Sequence, residues 1–335
     1  MFLGCSLPRC LTWRAVRLAF ALPAVLLALS CTKVPDLPTR VGMILWPGYE
    51  PIVMAKDKGY LAGHEYRLVP FTSASEVLAT FRNGDIEVAA ITLDEFLLLH
   101  RDVPDACVIA VLDVSHGADV ILGKPGIAEL SQLKGKRVAF EMTALGAYMI
   151  TRALETAGMS AADIHPLRVD VDRGEEAYHN GEADAIVTFE PTATRLRALG
   201  AVPLFDSSQI PGEIVDVLVA RRAMIDEHED NLVSLLGGWF REMADIKRDP
   251  DESHRILGAQ MELSADESAA AYGKLILGDE AKNAELLRGT PPPLEATANR
   301  LMETMVKHQL VAGEISPGDL IDLRPLDSYM RTRTP

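Results

Sequence analysis

The sequence lacks nearly every motif from which a catalytic site could be recognised. It contains no Gly-x-Ser-x-Gly elbow, no His-Glu-x-x-His pair and no glycine-rich phosphate loop. Its eight histidines are scattered along the chain without the spacing of metal ligands. We therefore expect a protein that is not an enzyme and that needs neither a metal nor a cofactor.

Cysteine is scarce as well. The chain has four cysteines, and Cys5, Cys10 and Cys31 all lie near the N-terminus. Disulfide frameworks and zinc sites require several spaced cysteines, so both are excluded for the rest of the chain. Cys107 lies inside an apolar run, which predicts a small buried hydrophobic residue rather than a nucleophile.

Positive charge is also in short supply. Lysine and arginine number 33 against 48 acidic residues, which gives a net charge of −15. Loss of Arg9, Arg14 and Arg17 with an N-terminal signal would change this value to −18. Such an acidic chain is repelled by phosphate backbones, so nucleic acid is excluded as a partner.

Only one long uncharged apolar run is present, and we therefore expect the remainder of the chain to be water-soluble. The run covers residues 18–30, follows the three arginines and is shorter than the roughly 20 residues of a membrane span. This pattern is typical of a signal peptide over residues 1–30. The run ends in Leu-Ala-Leu-Ser-Cys, which resembles a bacterial lipobox with Cys31 as the lipidated residue, although Ala28 stands where leucine is commonest. The alternative is an ordinary signal peptide with an incidental cysteine.

Residues 31–39, with two prolines, read as a tether, and strand-like and helical segments alternate after it. This alternation predicts an α/β fold with mostly parallel sheets. The predicted strands are 40–46, 66–71, 86–92, 107–114, 136–141, 166–171, 184–189 and 202–205. The predicted helices are 51–61, 74–83, 94–101, 144–157, 174–180 and 191–199.

The chain is predicted to form two similar lobes. Residues 81–90 align with residues 178–187, and in each an aromatic residue ends a helix before Asn-Gly and a strand. Such junctions also occur in unrelated α/β proteins. Extended runs at 118–124 and 215–220 suggest two crossings, with lobe one as 40–122 plus 213–335 and lobe two as 123–212. Residues 223–312 are predicted to be almost all helical and to pack on lobe one.

Ligands of α/β proteins bind where strands end and helices begin, so the strand-to-helix turns supply the candidate site. Trp46 and Tyr49, an aromatic pair at a glycine turn, are the strongest candidates for a pocket wall. For the serines and threonines the alternative is helix capping alone, especially for Ser73 and Thr92. The complete set of candidate ligand-binding residues is Trp46, Tyr49, Glu50, Thr72, Ser73, Ser75, Thr92, Asp94, Glu95, Asp113, Ser115, Glu141, Thr143, Glu190 and Asp206.

Five segments in order resemble the nitrate/sulfonate/taurine-type substrate-binding proteins of ABC transporters, a group that includes binding proteins for thiamine pyrimidine precursors. The resemblance spans roughly residues 40–225. The segments are Trp-Pro-Gly-Tyr-Glu-Pro at 46–51, Ala-Lys-Asp-Lys-Gly-Tyr at 55–60, Ser-Ala-Ser-Glu-Val at 73–77, Asn-Gly-Asp-Ile-Glu-Val-Ala-Ala at 83–90 and Thr-Leu-Asp-Glu at 92–95.

The resemblance implies a type II periplasmic-binding-protein fold, in which two α/β lobes close around a solute. It also implies a monomer that delivers this solute to ABC permease and ATPase subunits. With the lipobox, it implies an exported protein that Cys31 anchors to the lipid bilayer at a bacterial membrane, in the periplasm or on the cell surface. A sensor that docks on a membrane receptor, or a biosynthetic enzyme on the same fold, are the alternatives.

The candidate turns contain no lysine or arginine, and this composition indicates the charge of the solute. A bare anion there would meet like-charge repulsion, whereas an amine or heterocyclic cation would find carboxylates and aromatic faces. The residues therefore favour a cationic or heterocyclic solute, and the family name favours a sulfonate, taurine or nitrate. The acidic residues of these turns are Glu50, Glu76, Asp94, Glu95, Asp113, Glu141, Glu190 and Asp206.

Overall fold

A six-stranded sheet and a five-stranded sheet frame the protein in a computed structural model. The structure describes Met1 and residues 38–61, 63–142, 144–311 and 319–333. Pro38–Pro335 forms one compact unit. The predicted signal segment after Met1 and the predicted tether up to residue 37, with Cys31, lie outside the described residues.

The predicted strands agree with the observed ones to within three residues, and the largest difference is at β7, which ends at Arg168 instead of residue 171. The agreement is good where an apolar run buries both faces of a strand, as in β3 and β4. The predicted tether is one residue too long, since Thr39 already pairs with Tyr66. The first sheet has the order β11-β4-β10-β3-β1-β2 and the second the order β7-β6-β8-β5-β9. The strands are β1 (Thr39–Ile44), β2 (Tyr66–Phe71), β3 (Val88–Thr92), β4 (Ala106–Ser115), β5 (Val120–Gly123), β6 (Arg137–Phe140), β7 (His165–Arg168), β8 (Ala185–Thr188), β9 (Val202–Asp206), β10 (Val215–Arg221) and β11 (Leu275–Leu277).

Helices connect the strands and cover the sheets. Of the helices in the described ranges, none combines the length and apolar character that crossing a bilayer requires. Short 3₁₀ turns lie at Leu130–Leu133, Ala161–Asp163 and Ser207–Gln209. The helices are α1 (Glu50–Asp57), α2 (Ala74–Asn83), α3 (Leu93–Asp102), α4 (Ala144–Thr156), α5 (Val171–His179), α6 (Thr192–Ala198), α7 (Arg222–Arg248), α8 (Pro250–Gln260), α9 (Ala265–Tyr272), α10 (Glu280–Leu287), α11 (Pro293–Lys307) and α12 (Arg324–Arg333).

Most strands of each sheet run in one direction, as the alternation predicts, and β5, β10 and β11 run against them. β10 lies antiparallel between β3 and β4, and β5 lies antiparallel between β8 and β9. The chain therefore leaves the first sheet between Ser115 and Val120, a few residues before the predicted boundary at 122. It returns after the 3₁₀ turn that ends at Gln209. The lobe boundaries remain a prediction, with the first crossing shifted to 116–119.

The internal repeat extends to side-chain contacts. Arg40 binds Glu87 and the carbonyl oxygen of Gly84, at separations of 47 and 44 residues. Arg137 binds Asp184 and the carbonyl oxygen of Gly181 at the same two separations. Both glycines have a φ of 79°, the left-handed conformation expected after a helix. The two halves thus share one way of joining a helix to a buried strand.

The C-terminal helices pack against the first sheet, as predicted. Asn283 of α10 donates to the Val111 carbonyl oxygen at 2.9 Å and accepts from the Val111 amide at 2.8 Å. Trp239 of α7, 1% exposed, donates to the Gly278 carbonyl oxygen at 2.8 Å. Strand β11 was not predicted, because its three residues lie within a helical stretch. Cys107 is fully buried in β4, and burial raises the pKa of its thiol to about 12, which confirms the expected inert residue.

Candidate functional site: an acidic cavity between two sheets

A cavity of about 770 Å³ lies between the carboxyl ends of strands from both sheets. Strands β1 and β3 end at its wall on one side, and β6, β7 and β8 end at its wall on the other. Such an edge is where α/β folds bind ligands, because side chains of the following turns meet there. The lining residues are Ile44, Trp46, Tyr49, Ala74, Val77, Ala90, Ile91, Thr92, Glu95, Asp119, Phe140, Glu141, Leu145, Gly146, Val169, Asp170, Val171, Gly174, Ile186, Val187, Thr188, Phe189 and Asp216.

Three aromatic side chains of the lining contact one another. The rings of Trp46 and Phe189 meet edge to face, with centroids 5.2 Å apart and planes at 85°. Trp46 and Tyr49 meet at 6.5 Å and 61°. Trp46 belongs to the turn after β1 and Phe189 to the end of β8, so the aromatic contact joins the two sides of the cavity.

The position of Trp46 is fixed by a buried hydrogen bond. Its indole N–H donates to Asp113 Oδ2 at 3.0 Å. A Cβ at Gly48 would lie 1.8 Å from the same oxygen and 2.5 Å from the indole nitrogen. The sequence suggests Gly48 as the residue that permits a tight bend, and the structure adds the reason that a side chain there has no space.

Five carboxylates line the cavity, and among the described lining residues there is no lysine, arginine or histidine. These are Glu95, Asp119, Glu141, Asp170 and Asp216. Asp94 and Asp113 are buried just behind the wall and make no contribution to the lining. The cavity therefore brings acidic groups together without a basic partner, and four of the five, all but Asp170, are buried or largely buried.

Burial raises the pKa of the buried acids at and just behind the wall, because a charged carboxylate is poorly solvated there. Burial and the neighbouring charges of Asp94 and Glu141 raise the pKa of Glu95 to about 8. Burial raises the pKa of Asp119 to about 7 and that of Asp94 to about 6. Burial and the charge of Asp113 raise the pKa of Asp216 well above its usual range.

The structure brings five of the candidate residues to the cavity wall: Trp46, Tyr49, Thr92, Glu95 and Glu141. Thr143 lies outside the described residues. The other nine candidates are not among the lining residues of the cavity, although Ser75 lines the adjoining outer recess, and their part in binding stays a prediction. These nine are Glu50, Thr72, Ser73, Ser75, Asp94, Asp113, Ser115, Glu190 and Asp206.

Local hydrogen bonds explain the serines and threonines among these nine. Ser73 caps α2 through its bond from the Glu76 amide, the alternative foreseen from the sequence. Thr72 donates its hydroxyl to Glu76 at 2.9 Å, so this hydroxyl is not offered to the cavity. Ser75 donates both its amide and its hydroxyl to Glu141 Oε1 at 3.1 Å, which links the first sheet to the second.

The remaining candidates act behind the wall. Glu50 is buried in the first turn of α1, where burial raises its pKa to about 7. Ser115 contacts Ser207 through their hydroxyls at 2.7 Å, between the two crossings. Glu190 binds Arg197 at 2.8 Å and Lys274 at 3.4 Å, and Asp206 accepts from the Ser208 amide.

Several lining residues were missed from the sequence. Asp119 lies in a crossing and Asp216 at the start of β10, and neither follows a strand that leads into a helix. Phe189 and Asp170 are adjacent to predicted strand ends, and the strand-end rule applied to every turn could have found them. The position of Asp216 at the cavity follows only from the pairing of the strands, in which Asp216 lies opposite Thr92 of β3 and Asp113 of β4.

An outer recess of about 800 Å³ adjoins the cavity and shares Glu141, Val169 and Asp170 with it. Its remaining residues include Arg168 and Arg173, which are exposed. Among the described residues no group of three or more His, Cys, Asp or Glu is arranged to hold a metal ion.

Several solved structures share this fold. The alkanesulfonate-binding protein SsuA from Xanthomonas axonopodis pv. citri, bound to MOPS, has 17% identity and a TM-score of 0.73 over 85% of this chain and 98% of that chain. The periplasmic aliphatic sulphonate binding protein SsuA from Escherichia coli has 19% identity and a TM-score of 0.66 over 84% and 95%. A mutant of DszB in complex with biphenyl-2-sulfinic acid has 14% identity and a TM-score of 0.61 over 88% and 100%.

These likenesses identify the fold as that of type II periplasmic binding proteins, as predicted. No curated protein matches the sequence. The NMT1/THI5 like family matches residues 46–253, a segment that contains the aromatic turn, both crossings and all the cavity-lining residues from Trp46 onward. Because this match extends over more than half of the chain, the protein belongs to the NMT1/THI5-like family.

Proposed function

We propose that this protein is an extracytoplasmic solute-binding protein of an ABC importer, which captures an amine-bearing or heterocyclic cation between its two sheets. The observation that carries the proposal is the cavity itself, with aromatic walls, five carboxylates and no basic side chain among its described lining residues. The family and the fold support solute binding, since solved structures of this fold include two sulfonate-binding SsuA proteins and a ligand-binding component of an ABC-type import system.

Charge decides between a cation and an anion. An anion in the cavity would find no basic partner and would require Glu95, Asp119 and Asp216 to stay protonated, because repulsion between desolvated like charges costs several kcal/mol. A cation would neutralise these acids and lie against aromatic faces, which contribute about 0.5–2 kcal/mol by cation–π attraction. The cavity therefore selects for positive charge.

Binding without catalysis is the second part of the proposal. The one thiol in the described part of the chain, Cys107, is fully buried and does not line the cavity. The fold also supports catalysis in principle, as the likeness to the desulfurization enzyme DszB indicates. In this chain the acids and aromatic rings of the cavity provide recognition, and the ligand leaves unchanged.

A sulfonate is the second candidate ligand, and one observation favours it. Arg168 and Arg173 line the outer recess next to the cavity, where they could hold an anionic group outside the acidic chamber. A sulfonate solute would on this view keep its charged end in the recess. It would need an apolar or cationic remainder to enter the cavity.

Export and lipid anchoring complete the proposal, with Cys31 as the lipidated residue and the permease and ATPase subunits as partners. The test is expression of the full chain beside Cys31→Ser, followed by detergent phase partitioning. A lipoprotein enters the detergent phase, and the variant shifts to the aqueous phase. Equal partitioning of the two proteins would exclude Cys31 as the anchor.

Native mass spectrometry of the full chain, extracted from membranes with a mild detergent and not refolded, tests the solute. We expect a small adduct that is lost on denaturation and that contains an amine or a basic heterocycle. A sulfonate adduct would favour the second candidate. A chemically altered product in place of the bound compound would favour an enzyme.

A further inference from the structure

Two aspartates of the cavity carry a carboxylate oxygen without a hydrogen-bond partner among the described residues. They are Asp119, in the first crossing, and Asp216, at the start of β10. Each is 2% exposed and each lines the cavity. Buried polar atoms are nearly always paired in folded proteins, so a pair of unpaired oxygens at one cavity points to a missing donor.

Other atoms of these two residues are already held in place. Tyr49 donates its hydroxyl to Asp216 Oδ1. The neighbouring Asp113 can hydrogen-bond the same carboxyl only while it keeps its proton, and the pKa of Asp113 is about 7, so at about pH 8 Asp216 Oδ2 is left without a donor. The Asp119 backbone amide donates to Ser115 Oγ at 3.3 Å, and its carbonyl oxygen accepts from the Ser207 amide at 3.0 Å. Asp216 is therefore fixed through its other carboxylate oxygen, and Asp119 is fixed through its backbone.

The missing donor must bring positive charge. Burial and the charge of Asp113 are the main causes of the raised pKa of Asp216, and the charge of Asp119 raises it further, so the two cavity carboxylates interact. A neutral donor would satisfy the hydrogen bonds and leave this repulsion in place. A metal ion is not indicated, because no described group of acids has the arrangement of a metal site.

The unpaired oxygens also discriminate between kinds of organic cation. A quaternary ammonium is attracted to Trp46 and Tyr49 and has no N–H to donate. A primary ammonium or an amidinium carries several N–H donors, and charge-assisted bonds from such donors are the stronger ones. Only the second kind of cation satisfies both carboxylates.

We propose that the solute carries a primary ammonium or amidinium group whose N–H bonds bridge Asp119 and Asp216. This inference rests on the proposed function and names the chemical group that the cavity recognises. Since Asp119 belongs to a crossing and Asp216 to the first sheet, the bridge would lie at the floor of the cavity. The apolar part of the solute would then contact Trp46 and Phe189.

Three probes of similar size separate the possibilities: benzylamine, benzyltrimethylammonium and benzenesulfonate. Each is titrated calorimetrically into the full chain at about pH 8, after removal of any adduct, and thermal shift is followed in parallel. We expect benzylamine to bind at least tenfold more tightly than benzyltrimethylammonium, and benzenesulfonate not to bind. We expect Asp119→Asn to weaken benzylamine binding at least tenfold, because an amide supplies no charge.

A charge-matched control is Asp172→Asn, an exposed residue of α5 that does not line the cavity, for which we expect less than a twofold change. Circular dichroism confirms that both variants fold. Asp216→Asn is the second variant. Tyr49 can still donate to the amide oxygen of the new side chain, so this variant removes the charge and keeps the hydrogen bond that holds the residue in the fold.

The bridge is refuted if both cations bind equally, if none of the probes binds, or if Asp119→Asn leaves benzylamine affinity unchanged. Preferential binding of benzenesulfonate would refute it as well. These outcomes are distinct from failure of the proposed function. An adduct of different chemistry in native mass spectrometry would leave solute binding intact, and a protein isolated with a converted product would not.

Discussion

Asp113 of β4 lies directly opposite Asp216 of β10, and both carboxyls are buried. Like charges at opposed positions of neighbouring strands destabilise a sheet, and burial increases the penalty. Burial raises the pKa of Asp113 to about 7, so the folded protein keeps a proton on this side chain that the unfolded chain has lost. Asp113 accepts a hydrogen bond from Trp46 and Asp216 accepts one from Tyr49. The pair therefore holds two aromatic residues of the cavity wall in place, at a cost in the stability of the fold.

Asp113→Asn should stabilise the ligand-free protein at pH 8. The amide oxygen still accepts from Trp46, and the amide nitrogen can donate to Asp216, so no buried charge remains at position 113. We expect a gain of roughly 1–3 kcal/mol in the free energy of unfolding at pH 8 and little change at pH 5, where Asp113 is protonated. Chemical denaturation at both pH values measures this difference.

The matched control is Asp184→Asn, because the hydrogen bond from Arg137 lowers the pKa of that carboxyl. Its loss should cost up to about 1 kcal/mol at pH 8. A gain for Asp113→Asn that is equal at both pH values would contradict the role given to its charge.

The stability of the ligand-free protein should fall as the pH rises from about 5 to 8. Acids with raised pKa values stabilise the fold fully below their unfolded pKa, and this contribution is lost as the pH rises through the folded pKa. The folded pKa is about 6 for Asp94, about 7 for Asp119 and about 8 for Glu95. Each such acid contributes a slope of up to about 1.4 kcal/mol per pH unit.

Below this pH range the effect of pH on stability has the opposite sign, so stability falls as the pH falls. Although burial alone would raise it, hydrogen bonds from Lys307, Arg152 and His308 lower the pKa of Glu155 to about 2. The stability from Glu155 is present above its unfolded pKa and is lost as the pH falls towards 2. We therefore expect a maximum of the melting temperature near pH 4–5, measured by calorimetry across the range. A melting temperature that rises from pH 5 to pH 8 would contradict the buried acids as titrating groups.

Gly48→Ala should destabilise the turn that carries Trp46. The added Cβ would lie 1.8 Å from Asp113 Oδ2, and overpacking of this kind costs roughly 1–3 kcal/mol. The control is Gly237→Ala within α7, where the nearest atom to a Cβ is a ring carbon of Tyr329 at 3.6 Å. There alanine should be neutral or stabilise by about 0.5–1 kcal/mol. Thermal unfolding of both variants, with Trp fluorescence as a second probe, gives the comparison.

Lys274→Ala should weaken the contact between the two sides of the cleft without unfolding the protein. Lys274 binds Glu190 across the cleft at 3.4 Å, and Glu190 retains Arg197 and the Thr194 amide when the lysine is removed. A partly exposed ion pair contributes up to about 1 kcal/mol, so we expect ligand affinity to fall up to about fivefold, mostly through faster release. Lys282→Ala, which breaks a pair within α10, is the control, and equal effects of the two variants would contradict a cross-cleft role.

Local patterns in the sequence were sufficient for most of the fold. The alternation of strands and helices, the left-handed glycines and the aromatic turn at Trp46 all depend on residues close in the chain. The positions of Asp119 and Asp216 depend on how β5 and β10 insert between distant strands, which local periodicity does not encode. For the same reason Asp113 was predicted at the wall and lies behind it, where Trp46 covers it.

The hydroxyl contact between Ser115 and Ser207 has a mechanical consequence. These residues lie at the two places where the chain passes from one sheet to the other, and their oxygens are 2.7 Å apart. When two lobes rotate about a hinge, the distance between atoms at the hinge changes little. The Ser75–Glu141 and Lys274–Glu190 contacts lie far from the hinge and join the two sides of the cleft, so they must break when the cleft opens. Ser115 and Ser207 would thus define the axis of rotation. The equilibrium between open and closed conformations would depend on the Ser75–Glu141 and Lys274–Glu190 contacts.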